Sequence, residues 1–280
     1  MLADDMVLVT TDGQDVGHVY SFEQATGAVR WKYPAGHNVP SDVVRSGSTV
    51  FAISQADVLV ALDLATGAER WSFSSSGDRA GRAKFVSSPV VLGSRVFFSG
   101  RDGFLYALDA TSGEVAWSYD LGTVRPTSPV IRESAVAVGT DDGRLLYFDP
   151  AAGQIDAQLD LDEPVTVAYA LVPAPNGLLV PLGGRPASPV AWGLVDSGLE
   201  SVSWRVGNDG RWSTLRPHIW QGAVVTGNGA GQVFVLELSD GSERQSFRVE
   251  GSVRSVGSVG DVLFVGTIEG MLYAFRMGGW

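Results

Sequence analysis

The chain has 280 residues, of which 45% are hydrophobic and 18% charged, with a formal net charge of −11 and a pI near 4.7. This composition excludes a disordered chain, and the negative charge argues against phosphate backbones and anionic membrane surfaces as partners. No apolar run approaches the ~20 residues of a membrane-spanning helix, and the absence of cysteine removes disulfides, thiolate metal sites and cysteine nucleophiles.

From the start of the chain, Met1 to Asp5 shows no basic or apolar leader, and Met6 to Thr10 reads as a strand. A phrase then begins that recurs to the end. Ser21 to Trp31, Ala61 to Trp71 and Ala107 to Trp117 all fit A-x-D-x-x-T-G-x-x-x-W with conservative departures. Around the third copy, Arg95 to Gly100, Phe104 to Asp109 and Val115 to Tyr119 read as hairpin-linked strands, and no segment carries a helical apolar period. Weaker copies follow at Tyr147 to Ala157, Trp192 to Trp204 and Val235 to Gln245, and a last one begins at Ala274, which makes seven.

A second column, Gly17, Asp57, Gly103, Gly143, Gly231 and Gly270, precedes the first by four residues and fixes the register. The clear turn glycines, at 27, 67, 113, 153, 198 and 241, lie 40 to 46 residues apart, which suits one four-stranded sheet per repeat. Each conserved position in the phrase has an expected structural task. Gly27, Gly67, Gly113 and Gly153 supply a turn at positive φ, and Asp63, Asp109 and Asp149 bond the amides of that turn. Trp31, Trp71 and Trp117 are too large for one thin sheet and are expected to pack on the neighbouring blade.

These residues resemble the pyrroloquinoline-quinone-like repeat, a β-propeller family, over nearly the whole chain. The resemblance implies an all-β propeller of about seven four-stranded blades, residues 1–280 forming a single domain. The chain opens at what looks like a second strand and stops inside a third strand near Phe275, so the first and last blades are expected to be incomplete. A divergent strand, a longer parent protein or a second chain would each fill the gap. The family includes quinoprotein dehydrogenases, an outer-membrane-protein assembly lipoprotein and kinase sensor domains. The dehydrogenase branch holds calcium with Glu, Asn and Asp, and no position here matches that set. The resemblance is therefore to the assembly and sensor branches, which implies a bacterial, extracytoplasmic binding protein with no cofactor.

If each blade runs from an inner first strand to an outer fourth, the connections from fourth to first and from second to third strands share one face. All three histidines and half of the twenty Lys and Arg fall there. Lys84, Arg125, Arg211, Trp212, Arg216, His218 and Arg254 form the candidate ligand-binding set. Together they describe a basic mouth for a protein segment or a small anionic ligand. The plainer account is that loop arginines are solvated or pair with neighbouring acids such as Asp142, and that Trp212 and Trp220 replace packing lost where later repeats drop their Trp. Neither Asp160 to Glu163 nor Asp141 to Gly143 has the spacing of a calcium loop, so no metal site is expected. No nucleophile elbow is present and the histidines are scattered, so a non-enzymatic scaffold is the leading expectation, with no nucleic acid and no membrane insertion. The alternatives are a degenerate quinone- and calcium-dependent dehydrogenase and a sensor domain excised from a larger bacterial envelope protein or kinase.

Overall fold

A computed structural model of the chain describes residues 1–11, 16–39, 41–75, 87–122, 126–165, 171–183, 191–207 and 216–276. Among these the chain is all-β, built of seven antiparallel meanders in which neighbouring strands follow one another in sequence. Blade 1 consists of Leu2–Ala3, Met6–Thr10, His18–Glu23 and Val29–Pro34, and blade 2 of Val44–Ser46, Thr49–Ile53, Val58–Asp63 and Glu69–Ser74. Blade 3 follows with Val90–Leu92, Arg95–Ser99, Phe104–Asp109 and Val115–Asp120, and blade 4 with Val130–Arg132, Ala135–Gly139, Arg144–Phe148 and Ile155–Asp160. Blade 5 is Val172–Ala174, Gly177–Leu182, Ala191–Asp196 and Val202–Gly207, and blade 6 is His218–Trp220, Ala223–Gly227, Gln232–Glu237 and Glu243–Arg248. Among the described residues blade 7 has three strands, Val253–Val259, Val262–Thr267 and Leu272–Arg276. The expected shortfall at the two ends is thus unequal: blade 1 gains a two-residue first strand, and blade 7 holds three strands.

The chain divides into two compact units, residues 1–158 and 159–280, with the boundary inside the last strand of blade 4. Within each unit the core lies between successive blades rather than inside any one of them. Met6, Leu8, Val19 and Trp31 of blade 1 pack with Val50, Ala52, Val60 and Leu62 of blade 2. In the second unit Trp192, Leu194 and Trp204 of blade 5 pack with Val224 and Leu236 of blade 6. Because both faces of a middle strand are covered, Thr49–Ile53 and Gly177–Leu182 are buried at every residue instead of alternating.

The repeated phrase performs its three tasks at atomic level. Asp63 Oδ1 accepts the amides of Ala65 and Thr66 at 3.1 and 2.9 Å, and Asp109 and Asp149 accept the two corresponding amides of their own turns. The Arg70 guanidinium, and after it the bonds from Thr66, hold the Asp63 carboxyl down to about 2. The turn glycine takes φ +70° at Gly67 and +76° at Gly113. Trp31 Nε1 donates to the Leu64 carbonyl of the next blade at 2.9 Å, Trp71 to Ala110 at 3.3 Å and Trp117 to Pro150 at 3.0 Å. In the second unit Trp204 bonds Leu238 in the same way at 2.9 Å, while Trp220, on the first strand of blade 6, bonds Gly260 at the turn between the first two strands of blade 7, also at 2.9 Å. Trp212 lies outside the described residues.

Two positions differ from the expected turn pattern. In the degenerate fifth repeat the left-handed residue is Leu199, at φ +59°, rather than Gly198. There Asp196 accepts the amides of Glu200 and Ser201, so the acid caps a turn shifted along the chain. In blade 6 Glu237 pairs with Arg244 at 2.6 Å instead of capping the turn, and Asp240 takes over that task by bonding Ser242.

A further repeated device holds the entry to the first strands of blades 2, 3 and 4. The buried hydroxyls of Ser41, Ser87 and Thr127 accept the amides of Ile53, Ser99 and Gly139 at 2.9, 3.1 and 2.9 Å, always twelve residues on. Alongside, Asp42 N–H donates to Ser88 Oγ and Ser88 N–H to Ser128 Oγ, at 3.0 and 2.9 Å, linking blade 2 to blade 3 and blade 3 to blade 4.

Candidate functional site

In the second unit the first strands of blades 5, 6 and 7 run beside a cleft of roughly 680 Å³, in the size range of small-ligand sites. Val172 and Pro173 of blade 5 form one wall, the segment Arg216–Ile219 another, and Arg254, Ser255 and Val256 of blade 7 the third. The lining combines two types of surface. Val172 and Pro217 are buried and Ile219 and Val256 half-buried, giving an apolar floor, while Arg216 and Arg254 are exposed at its rim.

Local structure explains how each polar group reaches the cleft. Arg216 and Pro217 immediately precede the first strand of blade 6, and the fixed φ of proline leads the chain extended into His218–Trp220. Arg254 sits at a register shift in the first strand of blade 7: Val253 pairs with Thr267 and Ser255 with the adjacent Gly266, so Arg254 is the extra residue of a bulge. A bulge re-aims the side chain it carries, and here it places a guanidinium among the cleft-lining residues. His218 Nε2 lies 2.8 Å from Ser258 Oγ, tying blade 6 to blade 7 and restricting the ring's orientation. Burial lowers the imidazole below its usual value, so at neutral pH His218 is an uncharged hydrogen-bonding group. The charged side chains lining the cleft are the two arginines.

Of the residues expected at a basic mouth, the structure brings Arg216, His218 and Arg254 together in this cleft. Lys84, Arg125, Arg211 and Trp212 lie outside the described residues. Two further loop arginines have partners close by. Arg144 pairs with Asp142 at 2.8 Å within its own hairpin turn, and Arg101 Nη1 donates to the Gln55 carbonyl at 3.0 Å. His18 packs at a tilt against Tyr20 of its own strand, and His37 is exposed in the first unit. The sequence reading missed Val172, Pro173, Ile219, Ser255 and Val256. They are ordinary strand residues about forty positions apart, and only the stacking of blades makes them neighbours. Among the described residues no group of three or more His, Asp or Glu is placed to hold a metal ion.

The architecture is that of a β-propeller. The crystal structure of BamB from Moraxella catarrhalis superposes with a TM-score of 0.76 at 17% identity, covering 98% of this chain and 82% of that one. A computationally designed protein, Ika8, superposes with a TM-score of 0.57 at 14% identity, covering 99% and 95%. At such identities the likeness is one of fold. Family membership comes from sequence: residues 2–184 match the family described as outer membrane protein assembly factor BamB, of the quinone-like repeat class, and the chain belongs to it. No curated protein matches the chain.

Proposed function

We propose that this chain is a non-enzymatic binding scaffold whose second unit holds an acidic, extended segment of a partner protein in the cleft between Arg216 and Arg254. One observation carries the reading: two guanidiniums from different blades flank an apolar-floored cleft in a chain of net charge −11. Guanidinium forks suit the geometry of carboxylates. The apolar floor gives an extended peptide somewhere to place alternate side chains, and neutral His218 adds an orienting hydrogen bond. Membership of a family described as an assembly factor supports a protein partner and a bacterial, extracytoplasmic setting.

A thermal-shift series tests this, because a ligand that binds the folded state raises its melting temperature. Acidic peptides are expected to raise it, small carboxylates and phosphate to do so weakly, and Arg216→Ala with Arg254→Ala to abolish the shift. A peptide shift that survives the double substitution would overturn the assignment to this cleft.

A further inference from the structure

His218 is held in the cleft by one of two bonds that run from blade 6 to blade 7. His218 and Trp220 lie two residues apart on the first strand of blade 6 and so project from the same side of it. Trp220 Nε1 donates to the Gly260 carbonyl at 2.9 Å, and His218 Nε2 lies 2.8 Å from Ser258 Oγ, two residues earlier in blade 7. The indole bond anchors the strand and the imidazole bond fixes the ring, so Nε2 is committed to the neighbouring blade. Nδ1 is then the nitrogen at which the ring gains a proton or meets a ligand.

The groups around the ring set the cost of charging it. Blade 5 contributes Val172 and Pro173 to the cleft, neither of which titrates. On blade 6, Arg216 stands two residues before His218, and the apolar Val225 pairs with His218 from the second strand. Blade 7 contributes Arg254, Ser255 and Val256, with Ser258 at the ring, while Asp261 beyond Gly260 is paired with Arg276 at 3.3 Å. None of the described residues lining the cleft is a carboxylate. Burial lowers the imidazole, and a third positive charge beside two guanidiniums is unfavourable, so the ring is neutral at neutral pH in the free protein. A ligand carboxylate held by Arg216 and Arg254 reverses this balance, because it brings an opposite charge beside the ring.

We infer that the cleft takes an acidic segment together with a proton on His218, so that its affinity rises as the solution becomes mildly acidic. The inference rests on the reading of the cleft as a carboxylate site. A proton on Nδ1 turns that nitrogen into a donor toward the ligand, while Nε2–H donates to Ser258 Oγ, so the ring gains charge without losing its link to blade 7. Linkage fixes the sign: a ligand that strengthens proton binding at the imidazole is itself bound more tightly, by the same factor, when the proton is present. The gain is absent well above the imidazole's value in the complex, grows as pH falls through it, and is complete below the value in the free protein.

The test is isothermal titration calorimetry of the full chain with an end-blocked peptide of alternating aspartate and valine, at about pH 5.5 and about pH 8, where aspartate stays ionised. Binding roughly fivefold or more tighter at the lower pH is expected. Proton uptake shows as a heat that depends on the ionisation enthalpy of the buffer. His218→Gln, whose amide keeps a partner for Ser258 but takes no proton, is expected to bind with one affinity at both pH values, and its melting temperature shows that it folds. In the wild type the His218 ring resonances are expected to titrate at higher pH with saturating peptide than without it. Equal affinity at the two pH values, ring resonances that peptide leaves unmoved, or pH dependence that persists in His218→Gln would overturn the inference; where binding still needs Arg216 and Arg254, the carboxylate reading stands. Binding that survives Arg216→Ala with Arg254→Ala, or no binding at either pH, removes the carboxylate reading and this inference with it.

Discussion

Gly67→Ala and Gly27→Ala form a matched pair that isolates the energy of the tryptophan interlock. Both glycines lie in an identical Ala-Thr-Gly-Ala turn with nearly equal positive φ, so both substitutions carry the same left-handed penalty of about 1–2 kcal/mol. At Gly27 that is the whole cost, because an added Cβ meets nothing among the described residues. At Gly67 the Cβ would sit 2.6 Å from Trp31 Cδ2, so the indole must withdraw from a buried site that it occupies with a hydrogen bond to Leu64. Overpacking of this kind costs about 1–3 kcal/mol more. Gly67→Ala is therefore expected to destabilise by about 2–5 kcal/mol in all. Urea unfolding followed by tryptophan fluorescence measures the difference, with the slope against urea unchanged if the unfolded surface is unchanged. Equal destabilisation by the two substitutions would refute the idea that the turn glycines are kept for the indole.

Trp117→Ala removes a large, half-buried ring and its bond to Pro150, and a loss of about 2–3 kcal/mol, below that of a fully buried tryptophan, is expected in chemical denaturation. Thr127→Ala leaves the Gly139 amide without its hydroxyl acceptor, and about 1–3 kcal/mol should be lost by the same assay. The Asp63 carboxyl is held near 2, below its usual value, so its stabilisation is complete above about pH 4 and is lost as pH falls toward 2. Asp63→Asn is accordingly expected to flatten the acid limb of the stability profile between those values, and a carboxyl resonance of the wild type titrating near 4 would contradict this.

How much of this could be read from the sequence depended on whether a feature repeats. The phrase ending at Trp31, Trp71 and Trp117 stated the register, the turn type and the inter-blade packing together, because every copy solves the same local problem. The ladder through Ser41, Ser87 and Thr127 is equally periodic, but single hydroxyls twelve residues from their partners leave no pattern that stands out from ordinary serine-rich loops. Leu199 shows the limit in the other direction: a glycine at 198 suggested the turn position, while backbone geometry places the left-handed residue one step later. The cleft was half legible. Arginine and histidine at 216, 218 and 254 were chosen for their chemistry and their place in the connections, and the structure brings those three together. Its walls at Val172 and Val256 were invisible, since apolar strand residues occur in every blade and only the bulge at Arg254 and the stacking of three first strands make these into one surface.

The most direct test of the binding account is amide chemical-shift mapping of the full chain titrated with an acidic extended peptide at low and at physiological salt. The account predicts saturable shifts concentrated at Arg216 to Ile219 and Arg254 to Val256, weaker at higher salt because screening reduces the attraction to the two guanidiniums. Shifts confined to other surfaces, or none at concentrations where a control peptide of reversed charge behaves the same, would contradict it.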